Sequence, residues 1–203
     1  MISLPHLFSG PCQELFMPKK LNVGNLLISE PFLPEEPFFR KLIVLIECNE
    51  KGTLGVIINE TLPNSISITV QDKPELDFTF PLLNGGPVGN SADEHLGFIY
   101  MGSATKSSTQ ISDNFHYVTD LMELLEAMEN NSINPLRTFA VSGYCGWAVG
   151  QLEAEINEKT WIVSSFTDHY MNLKGDIAWK SALKDLGGEL ALLANAPEDV
   201  QWN

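Results

Sequence analysis

LIVLIECNEKGTLGVII, residues 42–58, places two short apolar segments on either side of a charged turn. The segments, Leu42 to Ile46 and Leu54 to Ile58, are rich in β-branched residues, which favours buried strands over helices. Glu50-Lys51-Gly52 between them has the composition of a turn, so the stretch predicts a β-hairpin. Gly55 inside the second strand predicts either a bulge or a close approach of another group to the backbone.

The elements outside this hairpin are predicted from the same kinds of pattern. Further strands are predicted at residues 26–28, 95–100, 137–142 and 161–163. Apolar residues at helical spacing predict a helix over residues 120–130 and a second helix that begins near Asp176 and stops at Gly187-Gly188. Because strands come in hairpins first and alternate with helices only later, the order favours an α+β domain over a regular parallel sheet.

Two segments show no such pattern. Residues 60–78 are polar and are interrupted by Pro63 and Pro74, so no element is predicted there. Residues 1–23 are rich in proline and without periodicity. We therefore expect a loose N-terminal arm over residues 1–23, followed by one domain over residues 24–203.

The composition is that of an ordinary globular protein with a strong acidic excess. The 203 residues are 44% hydrophobic and 19% charged, and 26 Asp and Glu against 12 Lys and Arg give a formal net charge of −14. Such a charge repels phosphate backbones, which argues against direct nucleic-acid binding. The longest apolar run, Leu42 to Ile46, is too short to cross a bilayer, and the chain opens with no leader-like pattern. We expect a cytoplasmic protein that does not enter a membrane.

SGYCGWAVGQLEAEI, residues 142–156, predicts a glycine-rich turn from a strand into a short helix. Cys145 could be a nucleophile at the start of that helix, where a thiol pKa is lowered, but a small buried residue is the interpretation we favour. Free backbone N–H groups in the turn could instead bind an anion. Glu153 and Glu155 would repel that anion, and the stretch has no nucleotide-binding fingerprint.

The remaining polar residues predict neither a metal site nor a catalytic set. The four histidines have no metal-binding spacing, and His95 with its neighbours Asp93 and Glu94 could not all point at one ion. Asp168-His169 could be half of a catalytic pair, although a solvated loop is the interpretation we favour. No cofactor and no metal are predicted.

Several stretches together resemble the AlgH/YqgE family of bacterial proteins. Residues 24–59, 83–88, 142–156 and 159–165 carry the likeness, above all the pattern G-Y-x-G-W-x-x-G-Q-L-x-x-E that begins at Gly143. The resemblance implies a single α+β domain whose mixed, bifurcated sheet curls into a pseudo-barrel with helices packed outside. It also implies a cytosolic protein without an established activity, one branch of which is called a transcriptional regulator. The family usually has alanine or serine where this chain has Cys145, so a shared role cannot depend on that thiol.

Two functional hypotheses from different classes follow. The first is a non-enzymatic binding or regulatory module with a groove for a protein partner or a small ligand. The candidate groove residues are Asn59, Gly85, Gly86, Tyr144, Trp147, Gln151 and Glu155. The second is an enzyme acting on a phosphate- or carboxylate-bearing small molecule at the 143–151 turn. We favour the first because the sequence pairs no nucleophile with a base.

Overall fold

The computed structural model describes residues 20–33, 37–70, 73–89 and 95–195, and for residues 73–76 the backbone alone. Within these ranges the chain forms eleven β-strands and four α-helices. The strands are β1 (Asn25–Ser29), β2 (Leu42–Asn49), β3 (Gly52–Ile57), β4 (Thr61–Val70), β5 (Lys73–Asn84), β6 (Leu96–Gly102), β7 (Thr109–Gln110), β8 (Phe115–Val118), β9 (Ile133–Ser142), β10 (Cys145–Trp147) and β11 (Trp161–Ser165). The helices are α1 (Leu121–Glu129), α2 (Gln151–Asn157), α3 (Gly175–Leu186) and α4 (Gly188–Leu193), and a 3-10 helix spans Asp168–Asn172.

The first sheet is built around the predicted hairpin. Its five strands have the order β10-β3-β2-β1-β11, and every neighbouring pair is antiparallel. The hairpin of β2 and β3 is confirmed, with Ile43 opposite Ile57. A Cβ on Gly55 would lie 2.6 Å from the Ile43 side chain, which confirms the close approach, while the bulge lies in β2 between Leu45 and Glu47.

The second sheet corrects the sequence prediction for residues 60–78. Its six strands have the order β4-β5-β9-β6-β8-β7, with β5 and β9 parallel and the other pairs antiparallel. The segment taken as patternless forms most of the β4–β5 hairpin. Pro63 is tolerated because β4 is an edge strand, and the pairing is irregular between Thr61 and Ser65. Ile66 and Ile68, which alternate with exposed polar residues, were the pattern that indicated a strand.

Three apolar clusters arrange the sheets and helices in layers. The central cluster joins side chains of both sheets to α3 and α4, with Trp179 fully buried in it. On the outer face of the first sheet, α2 contributes Leu152 and Ile156 to a second cluster. On the outer face of the second sheet, α1 contributes Leu124 and Met128 to a third. Each sheet is therefore covered on both faces, as buried strands of this hydrophobicity require.

The predicted helices are confirmed. Asp120 caps α1 by accepting hydrogen bonds from the backbone N–H groups of Met122 and Glu123. Helix α3 buries Trp179, Ala182 and Leu183 on one stripe and ends where Gly187 has φ of +72°. The four helices and two sheets form the expected α+β domain.

Two expectations about the overall architecture stay predictions. Among the described strands both sheet orders have open ends, so closure into a pseudo-barrel is not confirmed. The expected arm falls mostly on residues outside the described ranges; of its described residues, Leu21 is buried against the first sheet's outer cluster. Of the helices in the described ranges, none has the length and apolar character needed to cross a membrane.

Candidate functional site

The glycine-rich stretch contains a strand that the sequence did not predict. Residues 145–147 form β10, which pairs with β3 before the chain turns into α2. Cys145 therefore lies inside a sheet and not at the start of a helix, which corrects that hypothesis. Its side chain is 1% exposed, its Sγ lies 3.5 Å from the Gly85 carbonyl oxygen, and burial raises its pKa to about 12. A thiol in this environment is a core side chain and not an activated nucleophile.

Gly85 and Gly86 serve the backbone junction between β5 and the segment before β10. A Cβ on Gly85 would lie 2.3 Å from the Gly143 carbonyl oxygen, and one on Gly86 would lie 2.4 Å from Tyr144 backbone atoms. Beyond them, Val88 and Tyr144 form an isolated β-bridge. No larger residue fits at these two positions without moving the main chain.

Trp147, Gln151 and Glu155 lie close together, and their side chains form hydrogen bonds within this group. One oxygen of the Glu155 carboxylate, Oε2, accepts hydrogen bonds from the indole N–H groups of Trp147 and Trp161, both at 2.8 Å. The other oxygen, Oε1, accepts from the Gln151 side-chain amide at 3.0 Å. The Gln151 carbonyl in turn accepts from the backbone N–H of Ala148 at 3.0 Å. This Glu155 network fastens α2 to β10 and β11.

The side chain of Asn59 hydrogen-bonds to partners other than the candidate residues. Its side chain is buried, its carbonyl oxygen accepts from the Leu42 N–H, and its amide donates to the carbonyl oxygens of Arg40 and Gly175. Gly175 also donates its backbone N–H to the backbone carbonyl oxygen of Asn59 at 2.6 Å. Asn59 thus joins the end of β3 to the segment before β2 and to the start of α3, and its side-chain hydrogen bonds are used for that purpose.

Asp168 and His169 do not pair with each other. Asp168 accepts hydrogen bonds from Ser112 and Asn114, while the His169 Nε2 lies 3.1 Å from a carboxylate oxygen of Asp185. That same oxygen accepts from the Tyr170 hydroxyl at 2.9 Å. These contacts connect the 3-10 helix to β8 and α3, which argues against the catalytic-pair hypothesis.

Tyr144 lines a pocket of about 390 Å³ with walls from both sheets. The first sheet contributes Ile46, Glu47 and Leu54; the second sheet and its loops contribute Ser107, Thr109, Tyr117, Val118 and Thr119; and His95 and Gly143 complete the described lining with Tyr144. The lining combines apolar side chains with hydroxyl groups, the kinds of group found in small-molecule sites. Of the predicted groove residues, Tyr144 alone is among these described lining residues.

The aromatic walls of this pocket are held by glycine contacts. Tyr117 lies across Gly97, so closely that a Cβ on Gly97 would be 2.2 Å from the Tyr117 hydroxyl oxygen. Burial raises the Tyr117 pKa to about 12, so its hydroxyl keeps its proton at neutral pH. The His95 ring meets the Tyr144 ring edge-on, with 4.9 Å between centroids, and the His95 carbonyl accepts the Gly143 N–H. Both tyrosine rings therefore pack against neighbouring groups of the protein.

Sequence reasoning missed most of this pocket. Strand β8, which carries Tyr117, has four residues and follows a loop, so its alternation is too short to predict. His95 was considered only as a metal ligand with Asp93 and Glu94, which lie outside the described residues. In the described ranges, no group of three or more His, Cys, Asp or Glu side chains is placed to hold a metal ion. Gly97 inside a predicted strand was the available indication of a close approach.

Comparisons with known proteins agree on one family. The family model described as DUF179, AlgH-like, matches residues 26–191. Relatives named UPF0301 protein in Bacteroides thetaiotaomicron and Chlorobium luteolum are 31% and 33% identical over 183 residues. Those alignments cover 89% of this chain, and 90% and 94% of the respective relatives.

Two solved structures share the fold. The crystal structure of protein DIP2367 from Corynebacterium diphtheriae is 20% identical, with a TM-score of 0.68 over 88% of this chain and 95% of that one. The solution structure of the AlgH protein from Pseudomonas aeruginosa is 22% identical, with a TM-score of 0.62 over 89% of this chain and 97% of that one. At these identities the likeness supports the fold alone.

Proposed function

The chain belongs to the AlgH-like family, and on that premise we propose that it is a non-enzymatic binding module that holds a small molecule in the Tyr144 pocket. The observation that carries the proposal is the pocket itself, whose tyrosine rings pack against neighbouring groups of the protein. A preformed site binds without the free-energy cost of ordering its walls. The proposal narrows the predicted groove from seven residues to Tyr144 and its neighbours.

The polar groups of the pocket support binding more than catalysis. The Ser107 hydroxyl donates to the Glu123 carboxylate at 2.9 Å, so it is already engaged outside the pocket. Tyr117 retains its proton at neutral pH and can donate a hydrogen bond to a ligand, but it is not a base. A general base needs a nucleophile within hydrogen-bond reach, whereas the contact seen for the His95 ring is with the aromatic ring of Tyr144.

The enzyme hypothesis at the 143–151 turn has weaker support. The Glu155 carboxylate is fully engaged by three donors, and the turn's glycines are packed against backbone atoms. Among the described residues that line the Tyr144 pocket, none is a lysine or arginine that would attract a phosphate or carboxylate. The enzyme hypothesis stays a prediction.

A regulatory role would then follow from ligand occupancy and not from direct contact with DNA. The net charge of −14 opposes contact with a phosphate backbone. We further propose a cytoplasmic location, supported by the free thiols of Cys48 and Cys145, which suit a reducing compartment. A partner protein would respond to the occupied pocket, since Tyr144 and His95 lie beside the Val88 bridge near the surface.

A fragment screen by NMR tests the binding proposal. The full chain, labelled with ¹⁵N, is titrated with small aromatic and aliphatic fragments of positive, zero and negative charge. We expect amide shifts to concentrate at Gly143 and Tyr144, and to disappear in Leu54→Trp and Thr119→Trp, which enlarge two of the lining side chains. Leu136→Trp, the same substitution at a 92% exposed site outside the pocket, is the matched control and should keep the shifts. Fragments that never perturb the pocket, or that bind both filled variants normally, would overturn the proposal.

A further inference from the structure

We propose that the ligand of the Tyr144 pocket is a small organic ammonium cation, an inference that depends on the proposed binding function. Among the described lining residues, Glu47 is the sole carboxylate, and neither lysine nor arginine accompanies it. An ammonium group that enters such a site gains electrostatic attraction, whereas a carboxylate or phosphate would be repelled. The charge of the lining therefore selects the sign of the ligand.

The aromatic rings select for a cation as well. Tyr117 and Tyr144 both line the pocket, and tyrosine rings carry negative potential above their planes. His95 meets Tyr144 at an interplanar angle of 82°, an edge-on contact that does not stack on the tyrosine. The two tyrosines supply the lining with aromatic groups of the kind that recognises quaternary and other organic ammonium groups.

The rest of the lining fits the polar substituents of such a ligand. Thr109 and Thr119 present hydroxyl groups, which accept hydrogen bonds from an ammonium N–H or pair with a ligand hydroxyl. Ile46 and Leu54 supply an apolar surface for carbon atoms. A volume of about 390 Å³ lies at the small end of the range for ligand pockets, which favours a small molecule over a peptide.

Two features near the pocket, the Lys106 charge and the hydrogen bond of Glu47, affect its attraction for a cation. Lys106 lies next to the lining residue Ser107, and it also lies near the Glu123 carboxylate. The pKa of Glu123 is lowered mainly by the hydrogen bond from the Ser107 backbone N–H and in smaller part by the Lys106 charge. Glu47 itself accepts a hydrogen bond from the Asn49 side chain, and it is exposed. That contact leaves lone pairs of the carboxylate oxygens able to accept further hydrogen bonds from a cation.

Three probes of equal shape and different charge test the sign of the ligand. Choline is the cation, 3,3-dimethylbutan-1-ol is its neutral isostere, and 3,3-dimethylbutanoate is the anion. Titrations by NMR at about pH 8, where imidazole groups are neutral, should give choline an affinity about tenfold higher than that of the alcohol, with no binding of the anion. An alcohol that binds as tightly as choline, or an anion that binds more tightly, would overturn the inference.

Paired variants separate the ring from the carboxylate. Tyr144→Phe keeps the aromatic face and should retain most choline affinity, whereas Tyr144→Leu should lose about tenfold. Glu47→Gln should weaken choline severalfold and leave the alcohol unchanged, while Glu50→Gln, an exposed carboxylate on the same hairpin outside the pocket, should change neither. Equal effects of Glu47→Gln and Glu50→Gln would reduce the attraction to overall charge and contradict the proposed site.

The two proposals can fail separately. Fragments that reach the pocket while choline does not bind would leave the binding function standing and remove the cation. Fragments that never reach the pocket would remove both proposals.

Discussion

Removing the Glu155 carboxylate should destabilise the protein more than any other change of an exposed or half-exposed side chain on α2. In Glu155→Ala, the indole N–H groups of Trp147 and Trp161 both lose their acceptor. Trp161 is 0% exposed and Trp147 is 6% exposed, whereas the Glu155 side chain that accepts from them is half-exposed. An unsatisfied buried donor costs about 1–3 kcal/mol, so two of them would cost about 2–6 kcal/mol. Because water can enter part of the space that Glu155 leaves, we expect a loss of about 2–4 kcal/mol in the free energy of unfolding.

Two matched variants separate the acceptor from its charge. Glu155→Gln keeps a carbonyl oxygen that can accept from both indoles, and it should lose about 1 kcal/mol because a neutral acceptor is weaker. Gln151→Ala removes only the exposed amide of the Glu155 network and should lose about 0.5 kcal/mol. The expected order of destabilisation is therefore Glu155→Ala, then Glu155→Gln, then Gln151→Ala.

Equilibrium urea denaturation measures these differences. Far-UV circular dichroism is the appropriate probe, because the fluorescence of Trp147 and Trp161 will itself respond to the substitutions. For a chain of this length, a change of about 3 kcal/mol should lower Tm by about 6–12 °C. The reasoning is refuted if Glu155→Ala is no more destabilising than Gln151→Ala, or if Glu155→Gln is as destabilising as Glu155→Ala. Choline binding by Glu155→Gln should stay normal, since the carboxylate lies outside the Tyr144 pocket.

Three further predictions concern backbone space, protonation and thiol chemistry. Gly85→Ala should lower the free energy of unfolding in urea by about 3 kcal/mol or more, because its Cβ would overlap a backbone oxygen. Gly150 has φ of +78° and open space around it, so Gly150→Ala should lower the free energy of unfolding by about 1 kcal/mol. Similar losses in the two variants would contradict the steric argument. Burial lowers the pKa of His116 below its usual 6.5, so below about pH 6.5 the unfolded chain binds a proton that the folded chain resists. As the pH is lowered through that range, the free energy of unfolding should therefore decrease, and it should decrease less steeply in His116→Phe. Identical pH profiles for the two proteins would exclude this cause. Iodoacetamide at about pH 8 should leave Cys145 unmodified in the native protein and label it in urea, as mapped by mass spectrometry. The reason is that a pKa of about 12 leaves roughly one thiol in ten thousand ionised at this pH. Labelling of Cys145 in the native protein at the rate of half-buried Cys48 would show that the site opens.

Local patterns were sufficient for the parts of the fold that depend on neighbours in sequence. The β2–β3 hairpin, the cap at Asp120 and the end of α3 at Gly187 each follow from a few adjacent residues. The β4–β5 hairpin was harder to predict, because its prolines argue locally against strands even though Ile66 and Ile68 alternate with polar residues. That Pro63 sits at an edge is a property of the whole sheet order.

The candidate site was harder to predict than the fold because its polar residues are shared between structure and surface. Gln151 and Glu155 are one helical turn apart, so their contact could be expected from spacing. The second indole on Glu155 comes from Trp161, which reaches it only because β11 completes the sheet beside α2. A half-exposed carboxylate near glycines resembles a binding residue in sequence, and only its partners reveal that it is an internal acceptor.

The two roles of the 143–155 stretch follow from a single backbone position. Gly143 has φ of +76°, a conformation that favours glycine, and its N–H is held by the His95 carbonyl. The chain leaves this turn with Tyr144 towards the pocket, and strand alternation then buries Cys145 and Trp147 in the first sheet's outer cluster. Most of the polar residues that identify the stretch therefore hold the sheet and α2 together. The chemistry that chooses a ligand lies at Tyr144 and at residues such as Glu47, which come from other parts of the chain.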